Sequence, residues 1–225
     1  NRIKKTRSVW YSVWRWCTAA TQPSMCIGVF MSRTEPARFV YGKALCNHYC
    51  NRSGIIPYTI LDGVMYFLLA RDRHSKNITD FGGTPRGNEK TLVCAKREFE
   101  EETIRCLPDT AYVPINALGM CGCITDSDGR GGGMTIIFLP LRVTKDWLET
   151  APKMFQYKLD RTTRKCEQEN TEVMWFTAAE LRRCIAGEGR PADCIMWDRI
   201  RLFLNRSFTG NVEASLREIW STYIP

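Results

Sequence analysis

The 225-residue sequence predicts an α/β fold, with a mixed β-sheet covered by helices on both faces. Short apolar segments typical of strands alternate along the chain with segments of helical periodicity. Hydrophobic residues make up 44% of the chain, which is enough to form the core of one domain. Strands interleaved with a few helices are typical of a three-layer α/β/α sandwich.

The first predicted elements are two strands joined by a tight turn. Residues 54–61, GIIPYTIL, and residues 64–70, VMYFLLA, are separated by Asp62 and Gly63. This dipeptide favours a two-residue hairpin turn. The next segments are predicted to be a polar loop, a glycine loop and a helix, at residues 71–80, 81–88 and 89–102.

The second half of the sequence predicts three further strands and two helices. The strands are expected at residues 115–124, 135–143 and 172–176. Thr177 followed by Glu180 is the pattern of a capping box, so a helix is expected to run from there to Ile185. Pro191 is expected to open another helix that ends near Leu204.

The loop at residues 126–133, DSDGRGGG, lies between two predicted strands and requires a flexible backbone. Two interpretations stay open for this segment. It forms a lid or phosphate-contacting loop in the first and a plain long hairpin turn in the second.

The predicted helix at 89–102 carries carboxylates at a spacing that places them together. Glu98, Glu101 and Glu102 are three and four residues apart, so they share one helix face. Clustered carboxylates repel one another unless a cation compensates them, and hard oxygen donors suit Mg²⁺ or Mn²⁺. A second stripe of the helix is apolar and is expected to face the core: Leu92, Ala95 and Phe99.

This segment resembles the Nudix box, G-x5-E-x7-R-E-U-x-E-E-x-G-U. The matching positions are Gly83, Glu89, Arg97, Glu98, Phe99, Glu101 and Glu102. Ile104 stands where the family has its second glycine, and Arg105 replaces the final apolar residue. The resemblance covers about residues 54–207. It implies a Nudix-type α/β/α sandwich and a hydrolase whose substrate is a nucleoside diphosphate linked to another group.

The resemblance also implies roles for individual residues. Metal binding falls to the carboxylates Glu98, Glu101 and Glu102. Glu89 is expected to orient Arg97 or to reach a further metal through water, and Arg97 to be a structural partner of the box. The backbone at Gly82 and Gly83 is expected to turn tightly and approach phosphate oxygens.

The general base is expected outside the box, before a late strand. Glu169 lies six residues before Trp175, a spacing similar to that in the mRNA-decapping members of the family. Glu172, three residues before Trp175, is the second candidate. An exposed glutamate at the start of a strand is the alternative for either residue.

Positive charge is concentrated at the start of the chain. Residues 1–53 hold nine Lys or Arg and a single acid, Glu35, and the remaining residues carry equal numbers of basic and acidic side chains. We therefore expect an N-terminal extension, 1–53, that binds a polyanion, most simply RNA, before a hydrolase domain, 54–207, and a C-terminal helical tail, 208–225. A solvated tail or an anionic membrane contact is the alternative. The candidate RNA-binding or cap-binding residues are Lys4, Lys5, Arg7, Trp10, Trp14, Arg15 and Trp16.

The chain contains eleven cysteines. A glutamate-rich metal site and the lack of a recognisable secretory leader predict a reducing compartment such as the cytoplasm, where thiols stay free or bind metal. Arg15 interrupts the apolar stretch near the start, so neither a signal segment nor a membrane span is expected. Structural Zn²⁺ is a weaker hypothesis, with ligands at Cys46, His48 and Cys50 and a fourth at Cys17 or Cys26.

The basic extension and the many cysteines make the chain similar in general character to the mRNA-decapping Nudix enzymes of large DNA viruses, among them poxvirus, asfarvirus, mimivirus and baculovirus members. This similarity implies a viral enzyme that cleaves capped RNA in the host cytoplasm, releasing m7GDP and 5′-monophosphate RNA. One alternative is a hydrolase of ADP-ribose, a nucleotide sugar or an inositol pyrophosphate. The other is an RNA-binding protein with a degenerate box.

Overall fold

The computed structural model describes residues 37–112, 114–188 and 195–223. Within them the chain forms eight strands and five α-helices. The strands are β1 Arg38–Tyr41, β2 Arg52–Leu61, β3 Val64–Asp72, β4 Ile78–Thr79, β5 Phe81–Gly83, β6 Gly122–Thr125, β7 Met134–Pro140 and β8 Asn170–Thr177. The helices are α1 Thr91–Glu102, α2 Trp147–Leu159, α3 Ala178–Ala186, α4 Asp198–Ser207 and α5 Gly210–Tyr223.

The strands form one mixed sheet, as predicted. The main path runs in the order β1-β6-β7-β2-β3-β4, while β5 pairs with β2 and β8 pairs with β3. The β2–β7 pair is parallel and the other strand pairs are antiparallel. Both β5 and β7 pair with β2. Strand β5, with the sequence Phe81-Gly82-Gly83, is called the glycine strand below, and its pairing places it next to a central strand of the sheet.

The sheet is buried on both faces. Successive residues of a strand point to opposite faces, and Ile56 and Phe138 belong to one apolar cluster while Ile55 and Ile137 belong to the other. The first cluster includes side chains of α3, α4 and α5, and the second includes side chains of α1 and α2. The chain thus forms the expected α/β/α layers, and α1 lies on the second face with its apolar stripe inward.

The predicted hairpin is confirmed. Strands β2 and β3 pair in antiparallel register up to Leu61 opposite Val64. Asp62 and Gly63 both have positive φ, 50° and 76°, as a type I′ turn requires. The capping box at Thr177 and Glu180 is also confirmed: the Thr177 hydroxyl accepts from the Glu180 N–H, and the Glu180 carboxylate accepts from the Thr177 N–H.

Several predicted boundaries were wrong. Helix α1 begins at Thr91 rather than at residue 89, and β4 and β5 occupy parts of the two segments predicted as loops. Most of the strand predicted at 115–124 is a 3₁₀ helix, Ile115–Met120, which starts after Pro114. Proline restricts the backbone there and supplies no N–H for a strand ladder. Helix α2 was not predicted, because Pro152 interrupts its sequence pattern.

The remaining expectations concern the ends of the molecule. The helix expected to start at Pro191 begins only at Asp198, so the predicted start was wrong: residues 195–197 are not helical, and Met196 forms a bridge with Ile78 instead. Residues 189–194 lie outside the described residues. Residues 38–53 contribute β1, a 3₁₀ helix and the start of β2, and α5 packs on the first apolar cluster. The domain boundaries stay a prediction. None of the helices in the described ranges is long and apolar enough to cross a bilayer.

Gly63→Ala tests the turn that joins β2 and β3. A Cβ at Gly63 would meet no atom within 4 Å, so its effect comes from the positive φ alone. We expect a loss of about 1–2 kcal/mol in the free energy of unfolding, measured by urea denaturation. Gly210→Ala is the matched control, because its Cβ is equally unobstructed and Gly210 has no positive φ. Equal effects of the two variants would contradict the assigned turn.

Candidate active site

A buried ion pair fixes the glycine strand β5 beside β2. Arg52 donates to both carboxylate oxygens of Asp80, at 2.8 and 2.6 Å, and to the Gly82 carbonyl oxygen at 2.9 Å. Both side chains are almost fully buried. Burial lowers the pKa of Arg52, but the Asp80 carboxylate offsets this effect and the net pKa is raised. Arg52 therefore stays charged and holds the backbone of β5 in place.

Two carboxylates of α1 lie directly against β5. The Glu102 Oε2 atom accepts a hydrogen bond from the Gly82 N–H at 2.9 Å. A Cβ on Gly83 would lie 2.5–2.9 Å from the carboxylate atoms of Glu98, closer than any real contact. Only glycine fits at position 83 while Glu98 stays where it is. The glycine strand and the helix carboxylates thus form one unit.

Arginine side chains cover the other side of the carboxylate cluster. Arg97 donates to both oxygens of Glu89, at 3.0 and 2.8 Å, and to Glu98 at 2.6 Å. Glu101 pairs with the exposed Arg86 at 2.9 Å and lies 3.4 Å from Arg97. Hydrogen bonds from Arg97 lower the pKa of Glu89, and those to Glu89 and Glu98 raise the pKa of Arg97. Arg97 joins the loop before α1 to the helix.

Glu102 and Glu169 are the carboxylates with raised pKa values. For Glu102 the largest cause is complete burial, followed by the charge of Asp80, while Arg52 acts in the opposite direction. For Glu169 partial burial raises the pKa most, followed by the charges of Glu98 and Glu101. Glu169, directly before β8, therefore lies near the helix carboxylates.

Glu172, the second candidate base, points elsewhere. It pairs with Arg71 on the neighbouring strand β3, and its side chain is 46% exposed. It lines a different cavity, between β8 and α2, together with Trp175 and Met174. Glu169 rather than Glu172 is thus the glutamate that the fold brings to the box.

A cavity of about 320 Å³ opens between these elements. Its lining includes the glycine strand, the two carboxylates with raised pKa values and residues of other elements. The lining residues are Arg52, Asp72, Ser75, Thr79, Gly82, Gly83, Thr84, Glu102, Glu169, Asn170, Trp197 and Arg199.

The donor set of this site fits Mg²⁺ or Mn²⁺. Carboxylate oxygens are the ligands these hard ions prefer, and a divalent ion would compensate the buried charge of Glu102. Within the described ranges no three His, Cys, Asp or Glu side chains are grouped as a ready-made metal site. Arg97 and Arg86 instead pair with Glu98 and Glu101, and the Arg86 side chain is 62% exposed.

The zinc hypothesis finds no support in this part of the chain. Cys46, His48 and Cys50 do not form a metal-binding group. Cys50 is buried and its thiol donates to the Arg52 carbonyl oxygen, whereas Cys46 is exposed. Free thiols in the described ranges are Cys46, Cys50, Cys94, Cys106, Cys121, Cys123 and Cys166.

The expected RNA-binding residues all lie outside the part of the chain that the structure describes. Lys4, Lys5, Arg7, Trp10, Trp14, Arg15 and Trp16 lie outside the described residues, as do Cys17 and Cys26. Arg52 was counted among the basic residues of the extension, and this was wrong, because it is buried against Asp80. It is not available to contact phosphates.

Sequence reasoning missed four residues of the site. Asp80 was placed in a polar loop, and no role was given to Asn170, Trp197 or Arg199. The only local signal for Asp80 is its position one residue before the Phe81-Gly82-Gly83 segment. The other three reach the cavity only through the packing of β8 and α4, so their spacing in sequence carries no signal.

The fold and the site define an α/β protein with a carboxylate-rich cavity bordered by a glycine strand. No model of a known protein family matches the chain. A segment of 60 residues is 42% identical to an uncharacterized protein of Acanthamoeba polyphaga mimivirus, covering 24% of this chain and 20% of that protein. The chain thus matches about a fifth of the length of this relative.

Comparison with solved structures finds C. elegans Ap4A hydrolase. Its binary complex gives a TM-score of 0.36 at 13% identity, covering 77% of this chain and 96% of the other. A second structure of C. elegans Ap4A hydrolase gives a TM-score of 0.31 at 13% identity, with 79% and 99% covered. At such low TM-scores the likeness does not by itself establish a shared fold.

Removing the Glu102 charge is expected to stabilise the metal-free protein. The groups facing Glu102 are Asp80, Glu98 and Glu169, which disfavour its ionisation, and Arg52, which favours it. Because the folded-state pKa is raised, stability present at low pH is lost as the pH rises above the ordinary glutamate range. Glu102→Gln avoids this loss and should gain roughly 1–3 kcal/mol at about pH 8, but little at about pH 5.

Thermal unfolding in the presence of a chelator measures this effect. In a separate measurement without chelator, added Mg²⁺ or Mn²⁺ should stabilise the wild type more than Glu102→Gln. Glu149→Gln is the control, since its side chain is 80% exposed. A wild type that is more stable than Glu102→Gln in chelator at about pH 8 would contradict the assigned burial.

Proposed function

We propose that the protein is a metal-dependent Nudix hydrolase that cleaves a diphosphate linkage. The observation that carries the proposal is that Glu102 and Glu169 line one cavity together with Gly82 and Gly83, while Glu98 packs against Gly83. The three glutamates are the residues for which the box resemblance implies metal binding and proton transfer. Gly82 and Gly83 line the same cavity, with room for phosphate oxygens.

Different residues would bind the metal, accept the proton and position the metal ligands. Glu98, Glu101 and Glu102 would hold Mg²⁺ or Mn²⁺, which neutralises diphosphate charge and lowers the pKa of a water molecule. Glu169 takes the proton from the attacking water, a task that its raised pKa favours. Glu89 holds Arg97, which in turn keeps Glu98 and Glu101 at the helix surface.

The proposed substrate is the capped 5′ end of mRNA, with m7GDP and 5′-monophosphate RNA as products. The support comes from the charge distribution, since the excess positive charge precedes the hydrolase elements. An RNA body requires phosphate contacts outside the catalytic cavity, and a small nucleotide does not. A small-molecule hydrolase of ADP-ribose, a nucleotide sugar or an inositol pyrophosphate is the competing candidate.

An RNA-binding protein without turnover is less well supported. Ile104 replaces the second glycine of the box, but its φ is 51°, in the left-handed region that glycine favours. The end of the box helix therefore takes a glycine-like conformation although the side chain differs. Arg105 also has positive φ, 52°. The box carboxylates Glu98, Glu101 and Glu102 are all present, although only Glu102 lines the cavity and Glu101 lines another one.

Separation of reaction products would distinguish these candidates. Cap-labelled RNA, ADP-ribose, a nucleotide sugar and an inositol pyrophosphate are each incubated with the full chain and Mg²⁺ or Mn²⁺. Release of labelled m7GDP supports decapping, and turnover of only a small molecule supports the competing candidate. RNA binding without turnover of any substrate would support the third.

Loss of single carboxylates should separate the catalytic groups from their neighbours. Glu101→Gln and Glu102→Gln are expected to reduce kcat by at least roughly a hundredfold, because each removes a charged metal ligand. Glu169→Gln should also reduce kcat, with little effect on RNA affinity. Glu172→Gln is the matched control and should retain activity, since Glu172 pairs with Arg71 outside the cavity. If Glu172→Gln is the damaging change, the base has been misassigned.

The contribution of the basic extension can be measured separately. Replacing Lys4, Lys5, Arg7 and Arg15 by Ala removes four positive charges and leaves every proposed metal ligand unchanged. We expect weaker binding of capped RNA and a shallower salt dependence, because fewer counterions are released. Hydrolysis of a free cap dinucleotide should hardly change. Equal losses on both substrates, in a variant shown to fold, would indicate a structural extension instead.

A further inference from the structure

A second cavity, of about 470 Å³, has no role in the proposed chemistry. Its lining residues come from the segments 49–51, 84–89 and 130–131, and we call it the Tyr49 cavity. Thr84, the residue after the glycine strand, lines both this cavity and the one that contains Glu102. The two cavities are therefore neighbours that meet at Thr84.

The glycine-rich loop at residues 126–133 forms one wall of the Tyr49 cavity. The Ser127 hydroxyl donates to the Tyr49 carbonyl oxygen at 2.6 Å, and the Asn51 N–H donates to the Gly133 carbonyl oxygen at 3.0 Å. Gly133 has a φ of 72°, and a Cβ there would lie 2.8 Å from the Ser127 Cα atom, so only glycine fits. The loop is thus attached near both of its ends to the segment that carries Tyr49.

Arg130, in the middle of this loop, brings a positive charge to the Tyr49 cavity. The residue is exposed, and its guanidinium forms no ion pair in the described ranges. The neighbouring Asp128 carboxylate accepts from the Arg130 N–H at 2.8 Å, which lowers the pKa of Asp128. Glu89 also lines the cavity, but both of its oxygens accept hydrogen bonds from Arg97. The Arg130 guanidinium is therefore available to a ligand anion, and arginine suits phosphate oxygens.

Tyr49 supplies an accessible aromatic ring to the same cavity. The residue is 37% exposed, and in the described ranges its ring packs on no other aromatic ring. An exposed aromatic ring stacks on any nucleobase, because every base has a flat π-face. Asn51 and Asn88 are exposed lining residues whose amides can pair with the edge of a base. A ring, a guanidinium and amide groups together suit a nucleotide better than a simple anion.

We propose that the Tyr49 cavity binds the nucleotide on the far side of the scissile diphosphate, which in capped RNA is the first nucleotide of the RNA. Tyr49 stacks on its base, and Arg130 binds the phosphate that follows it. A volume of about 470 Å³ lies within the range of ligand sites and suits one nucleotide. A substrate lying across Thr84 has its diphosphate at the glycine strand and this nucleotide in the second cavity.

This inference rests on the proposed function, because it places a diphosphate at the glycine strand. It also separates the candidate substrates by their chemistry. Capped RNA carries a nucleotide on each side of the diphosphate linkage. ADP-ribose and a nucleotide sugar carry one nucleotide, and an inositol pyrophosphate carries none, so these molecules give the Tyr49 cavity no second nucleotide to bind.

Calorimetric titration of the full chain with pApA, a 5′-phosphorylated adenylate dinucleotide, tests the cavity without turnover. A chelator prevents a metal ion from drawing the phosphates to the carboxylates. Tyr49→Ala should weaken pApA binding about tenfold, because it removes the stacking surface, and Tyr49→Phe should restore most of the binding. Tyr157→Ala is the matched control and should bind like the wild type, since Tyr157 is 55% exposed and lies on α2.

Arg130→Gln tests the phosphate contact in the same titration. We expect about fivefold weaker binding of pApA and a salt dependence whose log–log slope is shallower by about 0.7, because one phosphate contact is lost. Arg142→Gln is the matched control, since Arg142 is an exposed arginine beyond the other end of β7. Ribose 5-phosphate, which has no base, should bind more weakly than pApA. The variants should unfold at the wild-type temperature, because the Tyr49 and Arg130 side chains form no hydrogen bond in the described ranges.

The results separate this inference from the proposed function. Unchanged pApA affinity in Tyr49→Ala and Arg130→Gln, or equal losses in the two controls, would overturn the assignment of the Tyr49 cavity. Ribose 5-phosphate binding as tightly as pApA would overturn it as well, since the base would then make no contact. Binding of pApA that depends on Tyr49 and Arg130, without hydrolysis of any diphosphate, would contradict only the proposed function.

Discussion

The buried pair between Arg52 and Asp80 is the interaction on which the site depends. It joins the first residue of β2 to the residue that precedes β5, and Arg52 also binds the Gly82 carbonyl oxygen. Replacing a buried ion pair by apolar residues is often neutral for stability, so stability alone does not explain its presence. The pair instead fixes the backbone against which Glu98 and Glu102 pack. The Arg52 guanidinium also lies over the Trp197 ring, 5.4 Å from its centre.

The distribution of positive charge follows from this arrangement. Arg97 and Arg86 compensate the outer carboxylates Glu98 and Glu101. Inside the cavity Arg52 forms its ion pair with Asp80. Glu102 and Glu169 form no such ion pair in the described ranges, and their pKa values are raised. A site with more buried negative charge than its own cations can balance is suited to an external cation. The same imbalance makes the metal-free protein less stable at high pH than its fold would otherwise be.

Local patterns in the sequence predicted much of the fold and about half of the site. The hairpin and the capping box depend on residues a few positions apart, and both were confirmed. The helix carboxylates lie on α1, while their role as metal ligands stays a prediction. The Arg52–Asp80 pair spans 28 positions, and Trp197 reaches the cavity only through its bridge to β4. No spacing rule detects such contacts. The 3₁₀ helix at Ile115–Met120 was predicted as a strand because a short apolar run has no clear period.

The basic residues before residue 54 do not form a single group, so they cannot all contribute to one binding surface. Arg52 is internal, Arg38 lies on β1 and Lys43 on the following 3₁₀ helix, while the other six lie outside the described residues. The cavity has a volume of about 320 Å³, which is too small for the body of a polynucleotide. If the substrate is an RNA, as we propose, its body must be bound by surfaces other than the cavity. Chemistry at the cavity and affinity for a polyanion would then depend on different residues and could vary independently.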